Sequence, residues 1–479
     1  MAVVDGERLG KGNLSLKDVV AQSVGYMGPV FSGTFFIPTI VGFSVTGRGA
    51  GVATPFAILL TAIGMLGLAW IISRYAKRIH AAGALYDYIS EGFGRPFGLL
   101  GGWIYYGGAL ALTLAIGLAF GGFLSGVLAS VHGIDVNWIW CTLAFWIVAW
   151  LMSVLGVQLS TRAQLALALV SVAVVFAWAI YVILKGGSNG FSLRPFNPGE
   201  SSFTGITYGI VYAGLIFVGF ESAANLAEET SEPKRNIPRA IFYSVIAAGI
   251  FYVVLAWALL LAFGLNVGDL LKNFPPLYAA TSNPDFGGHR FGELIQWLVV
   301  IDIAAVGLGT ATSTMRGVFA LARDRHLPRL LAAVHPRYKT PYVAATVVSI
   351  MAVAVAIIVR VSDGLAPGTP QDPPGHWFPI FQFGATIGAF LIFVVYLLIA
   401  LTGFKGQPGE NPGGLALAGL IAGATAVAAL YGVVHKAPPI YWFDKIWWLA
   451  LIWVVIGIGV VLVARSRGNL ASHAPAIPD

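Results

Sequence analysis

Pro96-Phe97-Gly98-Leu99-Leu100-Gly101-Gly102-Trp103-Ile104-Tyr105-Tyr106-Gly107-Gly108 opens a stretch that reaches Val131 without one charged side chain in 36 positions. A bilayer core of about 30 Å is crossed by roughly 20 apolar residues in a helix. Eleven more stretches meet the same requirement, so the chain reads 20–45, 52–73, 96–130, 137–157, 163–184, 203–227, 240–265, 291–322, 341–360, 376–403, 413–434 and 446–464 as spans. The pattern predicts an all-α polytopic membrane protein of about 12 transmembrane helices.

Composition agrees. Only 10% of residues are charged and 57% are hydrophobic, against roughly 25% charged in a soluble domain. Glycine (59) and proline (25) are abundant, which membrane helices tolerate because neighbouring helices satisfy the freed backbone. The single cysteine, Cys141, has no partner for an intramolecular disulfide. Met1 to Lys17 lacks the basic and apolar regions of a cleaved signal peptide, so the first span is expected to stay in the membrane. The net charge of +7 is scattered over short loops, which argues against a nucleic-acid partner. With the N-terminus inside, 19 Lys and Arg fall on inner segments and 8 on outer ones, with Arg316 inside a span. The positive-inside rule then places both termini in the cytoplasm of a plasma (inner) membrane. Two inner segments, His80–Arg95 and 323–340, read as structured, and 265–290 has room for a short surface helix.

Interrupted spans are where backbone becomes available to a ligand. The first span contains Gly25-Tyr26-Met27-Gly28-Pro29-Val30-Phe31-Ser32-Gly33-Thr34, and its glycines and proline remove helix propensity and a donor. The sixth contains Tyr212-Ala213-Gly214-Leu215-Ile216-Phe217-Val218-Gly219-Phe220-Glu221. Breaks in spans one and six are expected of two inverted five-helix repeats that hold a solute at the midplane. A half-helix that starts after a break offers free amides and a positive dipole end to a carboxylate, while the carbonyls ending the other half suit an ammonium. Met27, Gly28, Pro29, Phe31, Ser32, Gly33, Tyr212, Ala213, Gly214 and Phe217 are therefore the candidate substrate-binding residues. Tyr26, Phe31, Tyr212, Phe217 and Phe220 are the candidate gates.

Gly219-Phe220-Glu221, the run through Ala227-Glu228-Glu229, and Pro233-Lys234-Arg235-Asn236-Ile237-Pro238 resemble the sixth-helix signature of amino acid permeases in the amino acid–polyamine–organocation family. Ala322-Arg323-Asp324 with Leu327-Pro328 looks like that family's eighth-helix ending, and Ala82-Gly83-Ala84-Leu85-Tyr86 like its segment after helix 2. The resemblance covers about residues 20 to 403. It implies a LeuT-type fold: a cytoplasmic tail 1–19, a five-helix repeat 20–185, its inverted partner 203–403, two further helices within 413–464 and a second cytoplasmic tail 465–479. Two departures stand out. The family's first-helix motif matches Phe31-Ser32-Gly33-Thr34-Phe35-Phe36-Ile37-Pro38 only with Phe31 replacing a glycine, and another register puts the break at Met27-Gly28-Pro29. Both registers stay open. Some proton-driven relatives carry a helix-5 lysine, and the corresponding position here falls near Ser171.

An ionisable group inside a span costs about 2.5–3.5 kcal/mol on insertion scales and is a functional candidate by default. Asp302 reads either as a proton carrier or as a residue near the outer interface bonded to a hydroxyl. Glu221 reads as a brace for the broken helix or as a carrier. Thr310 and Ser313, with Thr312 and Thr314, form a hydroxyl cluster able to contribute to an all-oxygen sodium site or simply to helix packing. A proton is expected as the coupling ion ahead of sodium, with no other cofactor. The expected function is secondary active transport of an amino acid or related amine by alternating access, as a symporter. A sodium-coupled or exchanging transporter of polyamines or organic amines and a non-transporting solute sensor on the same fold are the alternatives. No nucleotide-binding loop or catalytic constellation supports an enzyme.

Overall fold

The computed structural model describes residues 14–42, 48–79, 85–156, 161–226, 230–361, 377–435 and 443–467. The first span is two helices, α1 (Leu16–Met27) and α2 (Pro29–Val41), followed by α3 (Thr54–Ala76), the short α4 (Leu85–Phe93), α5 (Arg95–His132), α6 (Trp138–Leu155) and α7 (Thr161–Lys185). The second half opens with α8 (Phe203–Leu215), a turn and a 3-10 segment (Phe220–Leu226), then α9 (Pro233–Ala262), α10 (Val267–Lys272), α11 (Pro276–Ser282) and α12 (His289–Arg323). It continues through α13 (Tyr342–Val361), α14 (Trp377–Thr402), α15 (Pro412–Val434) and α16 (Ile446–Ser466).

Eleven spans among the described residues are long and apolar enough to cross a membrane. The remaining expected one is α7, whose apolar part is Leu169–Lys185. Among the described residues there is no sheet, only an isolated bridge between Leu14 and Thr230. The stretch 265–290 forms two short helices, α10 and α11, instead of one, and the stretch 85–93 is helical as its spacing predicts. Ala82–Ala84 and Ala227–Glu229, used in the family resemblance, lie outside the described residues.

Local chemistry sets the ends. Gly94 and Pro96 start α5, and Gly133 stops it in a left-handed cap at φ 66°. At 38 residues this helix is about 57 Å long, and it is the pillar against which α4, α6, α12, α14 and α16 pack. In Pro233-Lys234-Arg235-Asn236-Ile237-Pro238, Pro233 launches α9 from the first helical position, where its missing N–H costs nothing, and Pro238 lies inside the helix. The core is filled by fully buried rings such as Trp146, Tyr212, Tyr252, Phe217 and Phe381. Trp140, Ile147, Ile350, Leu420, Ile452 and Val455 project outward instead, as side chains facing lipid do.

With alternating crossings, the start of α1 and the end of α16 share one face. There Ser231 donates its amide to the Leu14 carbonyl at 2.9 Å, and Arg74 meets Glu410 at 3.3 Å. On the opposite face Lys185 pairs with Asp285 at 3.5 Å.

Candidate functional site

The break in the first span is one residue long. Gly28 is left-handed (φ 52°, ψ 70°) and Pro29 opens α2, so the Met27-Gly28-Pro29 register holds and Phe31 lies inside the first turn of the second half-helix. A Cβ at Gly28 would come within 2.1 Å of Val306 Cγ2, so both conformation and space require glycine here. The Ser32 hydroxyl donates back across the break to the Met27 carbonyl at 2.7 Å, and the Ser32 amide reaches the Gly28 carbonyl at 2.8 Å.

The freed amides do not stand open. Asp302 of α12 accepts from the Phe31 amide at 2.7 Å, with the Val30 amide also within reach. The carboxylate is 2% exposed. Asp302 is therefore not an interfacial residue bonded to a hydroxyl: the chain's own carboxylate caps the half-helix end that a solute carboxylate was expected to meet. A charge-assisted bond of this kind stabilises by about 1.5–3 kcal/mol, helped by the dipole of α2.

The sixth-span break is built differently. After Leu215 the chain tightens, with Phe217 and Val218 donating three residues back to Gly214 and Leu215, and Gly219 adopts φ 113°. Glu221 folds back to accept from the Gly219 amide at 3.0 Å, and from the hydroxyls of Tyr105 on α5 and Tyr396 on α14 at 3.1 Å each. Three donors converge on one buried carboxylate.

The two breaks touch. The Gly219 position where a Cβ would stand is 2.3 Å from Tyr26 Cδ1, and Ser23 donates to the Phe220 carbonyl at 3.0 Å. Ser313 of α12 lies within hydrogen-bonding reach of the Tyr26 hydroxyl. Met27, Gly28, Phe31, Ser32, Glu221, Asp302 and Ser313 thus gather around one junction. Beside it stands Tyr252 of α9, close to Ser32 and Asp302, whose buried hydroxyl completes no hydrogen bond.

Other candidates go elsewhere. A Cβ on Gly214 would meet Phe393 Cζ at 1.9 Å, and one on Gly33 would meet Leu255 Cδ2 at 2.5 Å, so both glycines admit neighbouring helices. Tyr212 is tied to Thr386 at 3.0 Å. Ala213 is fully buried, and Phe217 packs edge-on to Tyr252. Thr310 donates to the carbonyl of Gly307 at 3.2 Å, Thr312 donates to that of Leu308, and Thr314 pairs with Thr113. Arg316 is exposed near the C-terminal end of α12. Ser171, where some proton-driven relatives carry lysine, is buried on α7, which packs against α1.

Aromatic rings close the far side. Phe35 touches Phe123, Phe274 and Phe381 at 5.3, 5.9 and 5.7 Å, while Phe31 leans on Phe36 and Phe381. Phe274 comes from the segment between α10 and α11, so that connection is part of this aromatic cluster. Tyr105, Tyr252 and Tyr396 are the site residues that sequence reasoning missed. Nothing in their spacing distinguishes them from the other tyrosines, and each is brought in from a different helix.

A family model described as "Amino acid permease" matches residues 25–407. An uncharacterized transporter of Mycobacterium tuberculosis is 30% identical over 291 residues, covering 59% of this chain and 61% of that relative, less than two thirds of its length. The low-affinity putrescine importer PlaP of Escherichia coli is 26% identical over 361 residues, 72% of this chain and 74% of the importer. Among solved structures, a manganese transporter of Eremococcus coleocola superposes with a TM-score of 0.52 over 98% of this chain and 99% of its own, at 13% identity. That likeness is one of fold alone, and the fold is the LeuT-like architecture.

Proposed function

Because the chain belongs to the amino acid permease family, we propose that it is a secondary active transporter carrying an amino acid or related amine across the plasma membrane, driven by protons. Its working parts are the two inverted units 20–185 and 203–403, with both termini cytoplasmic. The observation that carries the proposal is the bond from the Phe31 amide to Asp302.

An ionised Asp302 and a solute carboxylate compete for the same amides and repel one another. Protonation of Asp302 removes the like charge and weakens its hold on Phe31, freeing the end of α2 for the solute. Proton and solute then raise each other's affinity, and by linkage the coupling is reciprocal. The carbonyl end of α1 suits the solute's ammonium, and the unpartnered Tyr252 hydroxyl supplies a further polar contact. When the solute leaves, Asp302 returns to Phe31 and gives up its proton on the side then open. Glu221, held by three donors, keeps the sixth-span turn rigid against Tyr26 while one bundle rocks against the other.

Uptake into proteoliposomes tests this, with proton and sodium gradients imposed separately and a panel of neutral amino acids and putrescine offered. Proton-driven accumulation is expected, and Asp302→Asn should retain solute counterflow while losing accumulation. Sodium-driven uptake indifferent to Asp302→Asn rules the mechanism out. The likeness to a putrescine importer favours a second reading, in which Asp302 itself takes a solute ammonium; Asp302→Asn would then abolish binding of the amine altogether.

A further inference from the structure

Away from the helix breaks, on the face that carries the chain ends, a cavity of about 920 Å³ opens between the loop after α12 and the last turns of α16. Its polar wall is Arg325, His326, Arg329 and Arg467, and its apolar wall includes Ile456 and Val463. Arg325 sits in the left-handed region at φ 66° and turns the chain sharply at the end of α12. Leu321, Leu327 and Ala464 pack together nearby and tie the two elements to one another.

Two features point to a ligand. Among the described residues no carboxylate pairs with Arg325, Arg329 or Arg467: Asp324 is engaged by Arg323 at 3.3 Å. The apolar wall continues into the outward face of α16, where Ile452, Val455, Ile456, Leu462 and Val463 are exposed. A free phosphate uses the arginines alone and leaves the apolar wall to bulk lipid. A phospholipid uses both.

We propose that this cavity binds an anionic phospholipid, its headgroup phosphate held by Arg325, Arg329 and Arg467 and its acyl chains lying along α16. Guanidinium forks match phosphate oxygens, and basic pockets at this membrane depth suit anionic headgroups. Gly459 leaves the wall open, since a Cβ there meets nothing within 4 Å. A side chain at this position therefore starts in open space on the cavity wall.

The test is native mass spectrometry of the purified full-length protein incubated with phosphatidylglycerol or phosphatidylcholine. Phosphatidylglycerol should be retained preferentially, with retention falling about fivefold for each arginine changed to alanine. Gly459→Phe should lower retention through the apolar wall alone, at an unchanged melting temperature, which separates loss of the site from loss of the fold. Equal retention of the two lipids, or full retention by the Arg325→Ala/Arg329→Ala/Arg467→Ala variant, overturns the proposal. So does displacement of the lipid by inorganic phosphate, which would make this a simple anion site. Recovery of a second copy of the chain in place of lipid, dissociated by Gly459→Phe, would make it a subunit interface and also overturns the proposal.

Discussion

The two broken spans carry similar sequence signals and solve the same problem in opposite ways. At the first break, the amide of Phe31 is satisfied by Asp302, 271 positions away on another helix. At the sixth, the amide of Gly219 is satisfied by Glu221, two residues along the same segment. Glu221 is also clasped by Tyr105 and Tyr396, whereas Asp302 is held by the backbone amide of Phe31, with that of Val30 in reach. A carboxylate held by three converging donors is a brace. One capping a half-helix end from a neighbouring helix is, on the proposed mechanism, a plug that a ligand displaces. The difference teaches that a buried acid's role follows from who holds it, not from its burial, which is nearly the same for both: 1% exposed for Glu221 and 2% for Asp302.

Four substitutions break or sharpen this contrast. Glu221→Ala strands three donors, each costing about 1–3 kcal/mol when left unsatisfied, so unfolding in detergent should move by on the order of 3 kcal/mol or more and uptake should vanish. A near-normal melting temperature would remove the brace from the account. Gly28→Ala comes next: it forces an L-residue into the left-handed region, worth about 1–2 kcal/mol, and drives a methyl into Val306. Thermal unfolding should report a loss of roughly 2–3 kcal/mol from strain and overpacking together, with solute affinity reduced because the end of α2 is displaced.

Asp302→Asn is smaller in stability and larger in function. The asparagine oxygen still accepts from Phe31, so the loss is about 1 kcal/mol, the difference between a charged and a neutral bond. Flux measured across a pH series should become flat. If this variant unfolds as readily as Glu221→Ala, Asp302 is a second brace and the contrast collapses. Tyr396→Phe removes one of three donors to Glu221 and should cost about 1 kcal/mol; proteoliposome uptake should keep its pH dependence with a lower melting temperature. A changed pH profile there would assign proton handling to Glu221 instead.

Much of the architecture is legible in the chain because hydropathy is a local property. Each of the twelve apolar stretches declares itself within its own length, and the Gly/Pro interruptions do the same. The site is less legible. Gly214 looks like a binding-site glycine by its place in the sixth span, yet it exists to admit Phe393. The hydroxyl cluster of α12 looks like an ion site, yet Thr310 and Thr312 bond their own helix and Thr314 bonds Thr113. A serine or threonine can always return its proton to a carbonyl one turn back, so its presence on a helix says little about a ligand.

By itself, then, the sequence determined a polytopic helical membrane protein with interrupted first and sixth spans and two acids inside the membrane. Only the tertiary structure decided which register of the first break is used, and that Asp302 closes it while Glu221 is locked by Tyr105 and Tyr396. The physical reason is range. Burial and helix breaking are paid residue by residue along the chain, but a buried carboxylate must find donors wherever packing places them, and here all but one come from helices far away in sequence.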